Sequence, residues 1–255
     1  MVHPVPNCGF ARTYIISGTD GLMIIDPGSV GTAEDILETI NQAGMKFRNV
    51  RFVAATHFHI DHIGGIGTIL QKCLPGAKVL FHYLVSDYIE GRKKISLIKN
   101  WIHGFMPASI ASVRYIRRFA HLKFESFSGI PLPGLRNRII LPYGPDKILY
   151  FGTKGLRRYA LGFDDWEVIE TPGHTEDSVS FYNETSKELI CGDLILNMKK
   201  GGNGKLNRFC SSRKDISQSF LELCRTVNPK TIYPGHGEVI RDHKNALMCV
   251  ETFSC

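Results

Sequence analysis

Seven side chains have the types and spacing of a metal site. His57, His59, Asp61 and His62 fall within six residues of Thr56-His57-Phe58-His59-Ile60-Asp61-His62. Imidazole and carboxylate donors together suit zinc, or iron and manganese, better than soft-metal or calcium chemistry. Four donors this close crowd a single ion, and dividing them between two neighbouring ions removes the crowding. Two ions need further ligands. His174 in Thr171-Pro172-Gly173-His174-Thr175, Asp193 in Cys191-Gly192-Asp193 and His236 in Pro234-Gly235-His236-Gly237 offer them.

The elements that must position these residues are legible around them. Arg12–Ser17 and Leu22–Asp26 read as strands joined by the turn Gly18-Thr19-Asp20-Gly21. Thr32 is the expected N-cap of a helix, with Glu34 and Asp35 in its first turn, Ile36, Leu37 and Ile40 at helical spacing, and Gly44 as its stop. Val50–Ala55 is an apolar run fit for a buried strand that delivers the chain to His57. A helix is expected from about Ile63-Gly64-Gly65, carrying Ile66–Cys73, and Lys78–Phe81 reads as another strand. Strands are expected again at Lys147–Phe151, Trp166–Glu170, Val179–Tyr182, Glu188–Cys191 and Thr231–Tyr233, with a helix near Asp215–Val227. His174, Asp193 and His236 each follow one of these runs. Two of them are preceded by Pro-Gly, the chemistry of a sharp turn.

The segment Thr56–Gly65 (THFHIDHIGG) resembles the HxHxDH signature of the metallo-β-lactamase superfamily, and TPGHT, CGD and PGHG resemble its later metal motifs in the same order. Ile24-Ile25-Asp26-Pro27-Gly28 is similar to the first motif, whose Asp supports the metal loop from behind the ligands. THxHxDHxGG and TPGHT also look like those of glyoxalase II-type thioester hydrolases. The resemblance implies an α/β fold, an αββα sandwich with a helical, basic insertion: one domain over residues 1–255 with a lid-like insertion at about 84–145. It implies two divalent metal ions, zinc first, with iron or manganese as alternatives. His57, His59 and His174 would hold one ion, Asp61, His62 and His236 the other, and Asp193 would bridge them. Asp61, His62 and Asp193 are the residues expected to carry catalysis. The implied reaction is hydrolysis of an ester, thioester, lactone or related bond by a hydroxide generated between the two cations, with no Ser or Cys nucleophile. A phosphodiesterase or nuclease of the same superfamily is the alternative, or an oxidoreductase like the mononuclear iron persulfide dioxygenases. Lactonases of this kind carry a Tyr three positions after the bridging Asp, where this chain has Leu196. The dioxygenases' GRTDFQ stretch is replaced by Leu194–Lys200, LILNMKK.

Composition bounds the rest. The 255 residues are 43% apolar and 22% charged, as in a soluble globular protein. No run of about 18 apolar residues suggests a membrane span, and Met1–Phe10 lacks the basic and apolar regions of a signal peptide. Seven scattered cysteines without a CxxC pair read as reduced thiols, and the expected location is the cytoplasm. The net charge of +7 is uneven: residues 91–160 hold 14 Lys/Arg against 2 Asp/Glu. Trp101, Phe105, Met106, Tyr115, Phe119, Phe124 and Phe127 are interleaved with those basic residues. Such a segment attracts anions, so the expected partner is a small anionic or acyl substrate, with nucleic acid a lesser alternative.

Overall fold

Alternating apolar runs and helical patterns build two mixed sheets with accompanying helices. The structure, a computed structural model, describes residues 1–6, 8–72, 76–96, 98, 110, 112–128 and 139–253. It divides into two compact units, Met1–Ile95 with Ser112–Phe151, and Ser96–Ala111 with Gly152–Cys255.

The first unit carries a six-stranded sheet in the order β1 (Val2–Pro4), β2 (Tyr14–Gly18), β3 (Gly21–Ile25), β4 (Val50–Ala54), β5 (Lys78–His82) and β6 (Ile148–Phe151). β2 and β3 form an antiparallel hairpin closed by Thr19-Asp20, with Gly18 opposite Gly21. From β3 to β6 the pairing is parallel. Strands in such a setting read as near-continuous apolar runs because both faces are covered, and Ile24, Val53 and Val79 are fully buried. Helix α1 (Thr32–Gln42) buries Ala33, Ile36 and Ile40, the three-and-four spacing of one face. Its N-cap is Gly31, not Thr32. The Thr32 hydroxyl instead accepts the Ser29 N–H at 3.0 Å and donates to the Cys8 carbonyl at 2.8 Å. After β4 come a short turn of helix, α2 (Ile60–Ile63), and α3 (Ile66–Lys72). The helix expected from Ile63 is thus two pieces, broken at Gly64-Gly65, and the first begins inside the histidine motif. Among the described residues of 84–145, helical structure is limited to α4 (Leu84–Ile89), Ile110 and Ser112, and short 3-10 turns such as Val113–Tyr115 and Phe119–Leu122. Trp101, Phe105 and Met106 lie outside the described residues.

The second unit carries a seven-stranded sheet. Its order is β13 (Ile240–Arg241), β12 (Thr231–Gly237), β10 (Glu188–Asn197), β9 (Val179–Asn183), β8 (Trp166–Glu170) and β7 (Arg158–Ala160), and β11 (Lys205–Leu206) pairs with β10. β8, β9 and β10 form an antiparallel meander, and β10 and β12 are parallel. The crossover between them contains α5 (Arg213–Thr226). The Ser212 hydroxyl caps it by accepting the Asp215 N–H at 3.2 Å. Ile216, Ser219, Phe220 and Leu223 form its buried face. Among the described residues Cys8, Cys191, Cys210, Cys224 and Cys249 are free thiols. None of the described helices is long and apolar enough to cross a membrane.

Candidate metal centre

Each unit carries a cluster of the donor side chains read from the sequence. In the first unit β4 ends at Ala54 and hands the chain to the histidine motif. Phe58 turns into the core, 1% exposed, with its ring 5.3 Å from Phe81 and 6.4 Å from Tyr88. Anchoring the residue between them fixes His57 and His59 in place. Their rings stand 4.5 Å apart at 77°, with His57 Nε2 2.9 Å from His59 Nδ1. Two imidazole nitrogens at that distance share either a proton or a cation. His62 lies in α2, its ring 4.1 Å from that of His57, and its Nε2 is 3.9 Å from Asp61 Oδ2. His57, His59 and His62 are buried, and the Asp61 side chain is 28% exposed.

Asp26 stands behind this cluster. It is fully buried at the end of β3, with a positive φ of 52° that aspartate tolerates better than most residues. Its Oδ1 accepts the Thr56 N–H at 2.7 Å and its Oδ2 accepts the Thr56 hydroxyl at 2.8 Å. The hydroxyl proton is thereby committed to Asp26. Thr56 Oγ1, 3.1 Å from His57 Nδ1, is left as an acceptor, so His57 carries its proton on Nδ1 and presents the Nε2 lone pair. Asp26 Oδ2 is also 2.9 Å from His62 Nδ1, leaving the His62 Nε2 face toward Asp61. Carboxylate and hydroxyl partners of this kind set the tautomer and raise the basicity of metal-binding imidazoles. The sequence pointed to Asp26 in this role; it missed Thr56 as the relay.

Two of the second unit's three donors, Asp193 and His236, sit within strands rather than after them. β10 was expected to stop at Cys191 but runs to Asn197, and its register against β12 shifts between Ile190 and Gly192 and again before Leu196. Bulges of this kind re-aim a side chain without ending the strand, and Asp193 lies inside the irregular stretch. β12 likewise continues through Pro234-Gly235-His236-Gly237, so His236 is a strand residue and not a turn residue. The Asp193 carboxylate faces two histidines: Oδ2 is 3.4 Å from His174 Nε2 and Oδ1 is 3.4 Å from His236 Nε2. All three are buried. His174 follows β8 in a loop, and its Nδ1–H donates to the Phe209 carbonyl at 2.5 Å, which turns Nε2 toward Asp193. Asn207 donates its amide to the Asp193 carbonyl at 2.9 Å and accepts the Phe209 N–H at 2.9 Å. Asn207 and Phe209 carried no signal in the sequence, because the pairing of β11 with β10 brings them there. The neighbouring Cys210 thiol is pushed up to about 11 by burial and stays protonated at neutral pH.

The donor types and spacings suit divalent cations. Ligand atoms about 2.0–2.1 Å from a tetrahedral ion lie about 3.3 Å apart. The two 3.4 Å Asp193–histidine pairs match that spacing, and the His57–His59 pair is tighter at 2.9 Å.

Gly235 explains the Pro-Gly-His pattern better than a turn does. A Cβ there would meet Asp193 Oδ1 at 2.1 Å and the Gly192 carbonyl carbon at 2.8 Å. A Gly235→Ala variant is therefore expected to displace the Asp193 carboxylate and weaken the binding of an added divalent metal roughly 10- to 100-fold, the range for groups that orient ligands. Competition with a chromophoric chelator measures it; unchanged affinity would show that β12 yields instead of Asp193.

Comparisons with known proteins bear on the family and the fold. A family model described as the metallo-beta-lactamase superfamily matches residues 6–77 and 82–236. The chain is 24% identical over 248 residues to the probable metallo-hydrolase YqjP of Bacillus subtilis, covering 91% of this chain and 68% of that protein. It is 22% identical over 233 residues to the hydroxyacylglutathione hydrolase of Idiomarina loihiensis, covering 91% of this chain and 62% of that one. Its fold is similar to that of the chemotaxis sensor ODP in a peroxy diiron state, with a TM-score of 0.61 at 16% identity over 100% of this chain and 91% of the other. Two mixed sheets, the ordered histidine and aspartate motifs and a family match over most of the length lead to one conclusion: the chain belongs to the metallo-β-lactamase superfamily.

Proposed function

We infer that the two donor clusters act together as one dinuclear metal centre, and that the protein is a hydrolase of an ester, a thioester or a related bond in a small substrate. His57, His59 and His174 would hold the first ion, and Asp61, His62 and His236 the second. The carrying observation is Asp193, whose two carboxylate oxygens each face a different histidine at 3.4 Å, as a ligand shared between two ions requires. Bound there, two divalent cations supply Lewis acidity and bring the pKa of a water down toward neutrality.

The chain's own groups do the positioning. Asp26 and Thr56 hold the His57 proton on Nδ1, and the Phe209 carbonyl holds that of His174. Both rings then present an Nε2 lone pair to a cation. Asp61, more exposed than the histidines, is the donor nearest to solvent. The buried Cys210 thiol, pushed up to about 11, is not a thiolate nucleophile at neutral pH. Leu196, three residues after Asp193, cannot donate the proton that a tyrosine there would give a lactone's leaving group. The hydroxyacylglutathione hydrolase among the relatives supports an acyl substrate. The basic segment 91–160 supports one that carries negative charge.

Metal analysis of the purified protein followed by a panel of esters, thioesters and phosphodiesters tests this. The expected result is about two zinc ions per chain, hydrolysis of at least one acyl substrate, loss of turnover on chelation and recovery on adding zinc. One iron per chain with no hydrolysis would replace the reading with mononuclear oxidoreductase chemistry. Cleavage of phosphodiesters alone would move it to the nuclease branch.

A further inference from the structure

Residues Ile116–Phe127 form a strap, part of the basic aromatic segment, that bonds to the start of α1 and to the C-cap of α2. At one end its carbonyls meet the start of α1: the Val30 N–H donates to Lys123 at 2.9 Å and the Gly31 N–H to Ala120 at 2.9 Å. At the other end its amides meet the end of α2. Glu125 N–H and Ser126 N–H donate to the Gly64 carbonyl at 2.7 and 3.2 Å. Gly64 is the C-cap of α2, the turn that carries Asp61 and His62, and its carbonyl is one that a helix end leaves without an internal partner. The approach is close. A Cβ on Gly64 would lie 2.3 Å from the Phe124 ring, and one on Gly31 would lie 2.4 Å from the His121 ring. A side-chain bond from the Thr68 hydroxyl to Glu125 at 2.6 Å ties the strap to α3 as well.

His121 anchors the strap. It is fully buried, and its Nδ1 accepts the Arg117 N–H at 3.1 Å. The ring is therefore the tautomer with hydrogen on Nε2, which donates to Asp35 Oδ2 on α1 at 2.7 Å. Arg118 pairs with the other oxygen of Asp35 at 3.0 Å and with Glu34. Burial pushes the Asp35 carboxyl up, while the His121 hydrogen bond and the charge of Arg118 oppose the shift. Nothing in the donor clusters uses this buried pair.

We propose that His121 is a positioning residue: its bond to Asp35 seats the strap so that the Glu125 and Ser126 amides fix the Gly64 carbonyl and, through α2, the directions of Asp61 and His62. This rests on the reading of Asp61 and His62 as ligands. His57 and His59 precede α2, and the anchored Phe58 lies between them, so the strap acts selectively on one of the two ions.

Zinc titration against a chromophoric chelator and amide exchange of the full-length chain test it together. His121→Phe keeps a ring and loses both hydrogen bonds. The expected result is one zinc equivalent bound roughly 10- to 100-fold more weakly, the other unchanged, and faster exchange at Gly64, Glu125 and Ser126. His121→Gln, whose amide N–H can reach Asp35, is expected to restore both readouts. A folded His121→Phe variant with fast exchange at the strap but full zinc affinity would reduce the strap to cover and overturn the proposal. Unchanged exchange would overturn it too. Should His121→Phe fail to fold, Asp35→Asn keeps an acceptor and loses the Arg118 ion pair. It should shift both readouts in the same direction by less, and no shift in either overturns the proposal. Wild-type protein that takes up no zinc would sink the ligand assignment, and with it the metal half of the inference, whereas the exchange measurement still decides whether His121 holds the turn.

Discussion

A His59→Ala variant should fold, keep zinc at one position and lose turnover of every ester or thioester that the wild-type protein hydrolyses. The side chain is buried but makes no capping bond to α2. The turn is held by backbone, with the His62 and Ile63 N–H groups donating to the His59 carbonyl at 3.0 Å. Alanine keeps that carbonyl and is compatible with the extended φ of −103° at this position. What disappears is one of the two nitrogens, 2.9 Å apart, assigned to the first ion. The contribution of a Lewis-acid cation to the transition state is several kcal/mol, so the rate should fall by about three orders of magnitude or more. A circular dichroism melt, zinc analysis and kcat/KM on the best panel substrate check the three parts. Wild-type kcat/KM in a protein confirmed to lack the ion would detach the hydrolysis from the metal centre.

The divide between legible and illegible features follows the range of the interactions that make them. His57, His59, Asp61 and His62 announce themselves because the chemistry is concentrated in six residues. The long elements announce themselves because their burial is periodic: Trp166–Glu170 falls where the apolar run places it, and α5 differs from its expected bounds by two residues at one end and one at the other. β10 and β12 run further than their apolar stretches because Gly192-Asp193 and Pro234-Gly235, which look like turns locally, stay extended. Pairing between the two strands keeps them extended through those residues. β7, β11 and β13 are two or three residues long, too short for alternation to repeat, and only their neighbours define them. The strap is the extreme case. His121 meets Asp35 86 positions away and Thr68 meets Glu125 57 positions away, and local periodicity carries neither contact. Nothing in the sequence around His121 distinguishes it, and its burial beside a carboxylate is a tertiary fact.

Asp193→Asn is expected to be the more severe substitution, and the reason separates a shared ligand from an exclusive one. Asparagine has nearly the shape of aspartate, so the packing around Gly235, whose missing Cβ makes room for Oδ1, should survive. The backbone carbonyl of residue 193 can still accept the Asn207 amide at 2.9 Å. The charge is lost, and one of the two oxygens becomes an N–H₂ group that donates hydrogen bonds and cannot ligate a cation. Whichever way the amide turns, either the His174 side or the His236 side faces that nitrogen at the 3.4 Å now held by an oxygen. His59→Ala should cost one ion, whereas Asp193→Asn should weaken both: one position loses its ligand, and the other exchanges a carboxylate for a neutral carbonyl. Zinc analysis should give fewer than about one ion per chain under conditions where the His59 variant retains one, and kcat/KM should fall at least as far. If Asp193→Asn instead keeps one tightly held ion and the stoichiometry of the His59 variant, Asp193 serves a single cation, and the two clusters do not share a ligand.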